Sequence, residues 1–184
     1  MSDEEQLKKM ELILKNEQFD TEYISHDVDN LLPMLIVDLG RDPNGRDRFL
    51  KITIQEQEMG ESLFPEGIEP KSTVINAIFQ LDFPFEFDPL YTAEVSSLLH
   101  FLNQQHKLSG FVMDEVNHTV IYRQQQLTTT EGTNTKVLLS IVGLAMLFYD
   151  LHYKVIEEVG KGQITFDNVV TQIIKMAQKI PNVE

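Results

Sequence analysis

The stretch whose reading decides the fold is AIFQLDFPFEFDP, residues 77–89. Apolar side chains recur at every second position: Ala77, Phe79, Leu81, Phe83, Phe85 and Phe87. Successive side chains of a strand point to opposite faces, so this period predicts a long half-buried strand beginning near Val74. Pro84 interrupts the pattern. Proline donates nothing to a ladder, so this end should be a sheet edge or a strand end. Two readings of the rings remain open. Phe83, Phe85 and Phe87 all fold under helices and cap one end of the core, or at least Phe83 and Phe85 form part of a groove. In the groove reading a partner strand docks there, and Asp82, Glu86 and Asp88 supply an acidic rim.

Neighbouring segments predict the rest of a sheet. MLIVDLG (34–40) and RFLKITIQEQ (48–57) alternate apolar and polar residues, and RDPNGRD between them carries the turn signals Asp-Pro and Asn-Gly. TEYISHDV (21–28) is a weaker strand candidate. FVMDE and VIYRQQQL flank a turn at VNHT. Residues 58–72 form a long connection in which Leu63, Phe64 and Ile68 could grip a surface.

Helical spacing accounts for four further segments. Residues 2–17 place Leu7, Met10, Ile13 and Leu14 on one face, with Ser2 and Glu5 as a capping box. Val95, Leu98, Leu99 and Leu102 form a stripe on a helix opened by Asp88-Pro89 or capped by Thr92. A long helix from Thr135 to Val159 should stop at Gly160, and its apolar residues run around most of its circumference. It should therefore be covered on several sides. A last helix, about 166–178, should turn Val169, Val170, Ile173, Ile174 and Ala177 inward and close at Pro181. The expected fold class is α+β, an antiparallel sheet flanked by helices in the order α-β-β-β-α-β-β-α-α. One domain should span 1–184, with 161–184 as an added C-terminal helix.

Composition narrows the partners. The 184 residues are 42% hydrophobic, ordinary for a globular chain. Net charge is −14, and residues 1–90 hold 20 of the 29 acidic residues. Such acidity repels phosphate backbones and anionic lipid, which argues against nucleic acid and membrane insertion and for a basic or neutral protein segment. The chain has no cysteine, which excludes disulfides and thiolate metal sites and suits the cytoplasm. The start, MSDEEQLKK, does not read as a secretory signal. VLLSIVGLAMLFY (137–149) is shorter than the roughly 20 residues a bilayer needs and reads as a buried helix.

Catalytic signals are weak. His26, His100, His106, His118 and His152 show no i, i+4 pair and no HExxH. DPNGRD (42–47) mimics a calcium loop, but Asp47 and Thr53 stand where glycine and glutamate are needed. There is no GxSxG, and Gly160 and Gly162 do not make a phosphate loop. No cofactor is expected, and the chain reads as a non-enzyme.

The segment LLHFLNQQHKLSGFVMDEVNHTVIYRQQQL, with a helix ending at Leu102-Asn103, then glycine, then FVMDEVNHTVIYR, resembles the YbjN family. The element order over roughly residues 5–160 also resembles that of type III secretion chaperones. The resemblance implies an acidic, cytoplasmic, homodimeric binding protein holding an extended segment of a client protein. On that expectation Phe83, Phe85, Phe87, Asp82 and Glu86 are partner-binding residues. Leu98, Phe101 and Leu102 are dimer-interface residues, because Phe101 lies off the Leu98–Leu102 stripe. The alternatives are a YbjN-like regulatory protein with a folded partner, and an enzyme whose site is assembled from scattered His, Asp and Glu.

Overall fold

The computed structural model describes residues 2–25, 32–58, 73–106, 109–128 and 133–178. The central element is the quoted stretch. Strand β4 (Thr73–Glu86) stands between β3 (Asp47–Glu58) and β6 (Thr119–Thr128) in one six-stranded antiparallel sheet. Beyond β3 come β2 (Met34–Arg41) and the edge strand β1 (Thr21–Ile24), and beyond β6 comes the other edge, β5 (Ser109–Asp114). Register follows the apolar alternation, with Leu50 opposite Leu81, Ile52 opposite Phe79 and Leu81 opposite Tyr122. One sheet face therefore buries Leu35, Val37, Leu50, Ile52, Ile54, Ile75, Ala77, Phe79, Leu81 and Tyr122. The opposite face carries Lys51, Thr53, Gln80 and Arg123, none of them buried.

Four strands precede the second helix, one more than the expected order. The weak candidate forms β1 because its backbone completes a ladder against Met34–Val37, which needs no apolar pattern of its own. The 58–72 connection lies outside the described residues beyond Glu58.

Helices α1 (Asp3–Asn16), α2 (Thr92–Gln105) and α3 (Thr135–Gly160) pack on the apolar sheet face, α1 over β1–β3 and α3 over β4 and β6, while α2 meets β5. The Ser2–Glu5 capping box is present. Asp88 caps a 3-10 turn, Pro89–Tyr91, by accepting from the Leu90 N–H, and Thr92 opens α2 without a side-chain cap. Helix α3 runs one residue further than expected, through Gly160, and the left-handed glycine is Gly162 at φ +65°.

Two helical expectations are corrected. Helix α3 is buried along one stripe only: Leu138, Ile141, Val142, Ala145, Tyr149, Ile156 and Val159. Leu144 is half-buried and Leu147 exposed, because the sheet and the helices beside it cover a single side of α3. By length and composition α3 is apolar enough to cross a membrane, although its buried stripe belongs to the core. Helix α4 (Phe166–Ala177) turns only the first of the expected residues inward. Val169 is buried and Val170 half-buried, but Ile173, Ile174 and Met176 are 42%, 51% and 65% exposed. Among the described residues the start of α4 is fastened by the Phe166 N–H donating to Glu94 Oε2 at 2.6 Å and by Phe166 edge-on to Phe101. Ala177's side chain and Pro181 lie outside the described residues.

Candidate partner-binding site

The far end of β4 is built differently from the rest of the sheet. Pairing with β3 stops at Leu81, and the register against β6 shifts between Asp82 and Glu86. Four steps along β4 (from Asp82 to Glu86) there match two steps along β6 (from Ile121 to Thr119), so the strand bulges around Pro84. The proline thus sits at a strand end, where its missing donor leaves no ladder group unpaired. An open cleft of about 480 Å³ lies at this bulge, lined by Phe83, Pro84, Phe85, Glu86 and Thr119.

The bulge divides the phenylalanines. Phe83 turns inward, with its ring 4.8 Å from Tyr149 and 5.9 Å edge-on to both Phe111 and Phe85. Phe87 is also buried, edge-on to His118. Phe85 is only half-buried, with the Arg46 guanidinium 5.7 Å over its ring. Phe83 and Phe87 are therefore core residues; Phe83 and Phe85 both line the cleft, and Phe85 is the one of the three left half-buried. Of the acidic residues, Glu86 is exposed at the cleft. Asp82 forms an ion pair with Lys51 and accepts from Gln80 Nε2 at 3.0 Å, and Asp88 is the cap of the 3-10 turn.

A polar network holds Arg46 over Phe85. The β2–β3 turn brings Asp42 back to accept from the N–H groups of Asn44 and Arg46 at 2.8 and 2.9 Å, with Gly45 at φ +78°. Arg46 Nε donates to Asp42 Oδ2 at 2.7 Å, while its two terminal nitrogens each donate to Glu157 of α3 at 3.0 Å. The Tyr149 hydroxyl donates to the same Asp42 oxygen at 3.0 Å. Burial disfavours charge on Asp42, but these hydrogen bonds outweigh it and hold its carboxyl below the usual range. Glu157 is lowered in the same way, burial being outweighed by hydrogen bonds from Arg46 and Lys161. Arg48 donates to Asp150 at 2.7 Å and to the Leu39 carbonyl at 2.9 Å. The calcium-like segment is thus a hairpin turn locked to α3, and its carboxylates are already satisfied by protein donors.

Leu98 and Leu102 are buried inside the chain, against the sheet and α3, and Phe101 is half-buried against Phe166. The α2 stripe is consumed by the fold, so it leaves little for a dimer. His106 and His152 meet at the far end of α2, with Nε2 atoms 3.2 Å apart and Phe111 and Phe148 around them. Burial, and then the neighbouring His106, hold His152 down at about 4. Sequence spacing hid this pair, since the residues are 46 positions apart. Among the described residues no group of three or more His, Asp or Glu side chains could hold a metal ion. Thr119 also escaped the sequence reading, and only the β4–β6 register brings it to the cleft.

No family model matches the chain, and no curated protein matches it.

Proposed function

We propose that this chain is a non-catalytic protein-binding module of chaperone-like type, holding an extended segment of a client protein at the bulged end of β4. The observation that carries this reading is the open cleft where β4 has left the β3 ladder. An extended peptide binds such a place through main-chain hydrogen bonds and a side-chain pocket. Here the half-buried ring of Phe85 and the pyrrolidine of Pro84 offer apolar contact, and Glu86 favours a segment with a basic residue nearby. The same reading makes α3 a core helix and not a membrane span, because crossing a bilayer would strip it from the sheet and uncover Leu138, Ile141, Ala145 and Tyr149; a cytoplasmic setting belongs to the same proposal.

A second reading, a regulator that engages a folded partner, is favoured by the uncovered apolar face of α4. Ile173, Ile174 and Met176 could enter an apolar groove of that partner as a helix-in-groove contact. The test compares Phe85→Ser with Ile174→Ser for melting temperature and for retention of the co-purified partner. Segment capture predicts that Phe85→Ser alone loses the partner from a folded, monodisperse protein. Loss with Ile174→Ser alone favours the regulator, and full retention by both sinks both readings.

A further inference from the structure

We propose that the outward stripe of α3 is a self-complementary surface on which a second copy of this chain docks antiparallel. Val137, Leu144, Leu147 and Leu151 follow one another at intervals of seven, three and four, which lines them along one side of the helix. Leu147 and Leu151 are 49% and 60% exposed, and Val137 is exposed beside them. Residues so apolar and uncovered, in a row, mark an interaction surface more than scattered surface leucines would.

Two further features select the occupant. Gly143 lies next to this stripe in the middle of α3, and a Cβ built there meets nothing within 4 Å. Glycine is a poor choice in a helix interior, and nothing among the described residues requires it there. A close-packed helix from outside would, because the separation of two packed helices is set by the side chains at their crossing. Charge fixes the direction. Lys136 stands at the N-terminal end of the stripe, and Asp150, whose side chain is about half exposed, stands near the other end and accepts Arg48 on one oxygen.

A two-fold axis between Gly143 and Leu144 sets Ser140 level with the partner's Leu147 and Val137 level with the partner's Asp150 and Leu151. Lys136, level with the partner's Leu151, then lies one residue along from the partner's Asp150, within reach of its long side chain, and each contact occurs twice, as an isologous interface demands. Parallel pairing would instead set Lys136 beside its own copy. The chain's −14 charge opposes association in general, so pairing depends on this local match. The surface is separate from the β4 cleft, so it stands or falls independently of client capture.

Sedimentation equilibrium tests it. The chain should populate a dimer by about 100 µM, where micromolar self-affinity is visible. Leu147→Glu should weaken pairing at least about tenfold while leaving the melting temperature within about 2 °C, as expected of a surface position. Lys136→Glu and Asp150→Lys should each weaken pairing, and the double variant should recover affinity relative to either single one. Recovery would support the pairing even if Asp150→Lys also disturbs Arg48. A monomer at 100 µM overturns the proposal, as does a dimer indifferent to Leu147→Glu or a double variant no better than the singles. Flotation of the wild type with zwitterionic vesicles in place of self-pairing would assign the stripe to lipid and overturn it as well.

Discussion

Replacing Gly160 by alanine should destabilise the protein, although alanine is the better helix former. Gly160 is the last residue of α3, buried where the helix meets the end of β4. Its carbonyl accepts the Asp88 N–H at 2.9 Å. A Cβ there would stand 2.8 Å from the Cβ of Phe87 and 3.5 Å from its Cα. Those atoms cannot swing aside as a flexible chain end could, so the strand end must shift. Overpacking of this kind costs about 1–3 kcal/mol. Gains in helix propensity return at most about 1 kcal/mol, and less at a helix terminus. The net expectation is a loss of about 1–2 kcal/mol, or about 2–8 °C in melting temperature for a chain of this size. The control is in the same helix: Gly143→Ala meets open space and should gain about 0.5–1 kcal/mol at low, monomeric concentration. Thermal unfolding by circular dichroism reads both. A Gly160→Ala protein as stable as, or more stable than, the wild type would refute the close seating of Phe87 against α3.

Three other outcomes follow from the same geometry. Arg46→Met removes the guanidinium shared by the buried Asp42 and the half-buried Glu157, leaving Asp42 the Tyr149 hydroxyl and Glu157 the Lys161 ammonium, and should cost about 3 kcal/mol in denaturant unfolding, whereas a loss under about 0.5 kcal/mol would make the network ornamental to stability. His152, held near 4 in the fold against an ordinary 6.5, contributes stability that is whole above about pH 6.5 and declines as pH falls toward 4. Its partial exposure reduces that contribution to about 1–2 kcal/mol, and a wild-type urea midpoint that is flat from pH 7 to 4.5, or a His152→Gln profile just as steep, would contradict it. Leu147→Ala, at an exposed site, should change stability by less than about 0.5 kcal/mol, and a loss above 2 kcal/mol would bury the residue after all.

The sheet was legible because its signal is local. Leu50, Ile52, Ile54, Ala77, Phe79 and Leu81 alternate in sequence and land on one buried face. The helices were legible as helices for the same reason, but their covering was not. Apolar periodicity says that α4 has an apolar face, and it says nothing about whether another element of the chain reaches that face. Hence Val169 is buried while Ile173 and Ile174 are not. Pro84 announced a strand end, but a proline does not reveal which ring goes inward. That depended on the bulge between Asp82 and Glu86, a property of the β4–β6 register. Arg46 and Glu157 lie 111 positions apart and carry no shared motif, so their contact over Phe85 had no sequence signal.

Hydrogen exchange read by mass spectrometry, on the protein alone and with its co-purified partner bound, addresses the binding claim most directly. Exchange reports local protection of backbone N–H groups, and Pro84 leaves Phe83, Phe85 and Glu86 as the reporting amides on the bulge. New protection should be confined to 82–87 and to Thr119 across the cleft, with the helical layer unchanged. Protection of α4 with none at the β4 bulge, or purification without any partner, would contradict it.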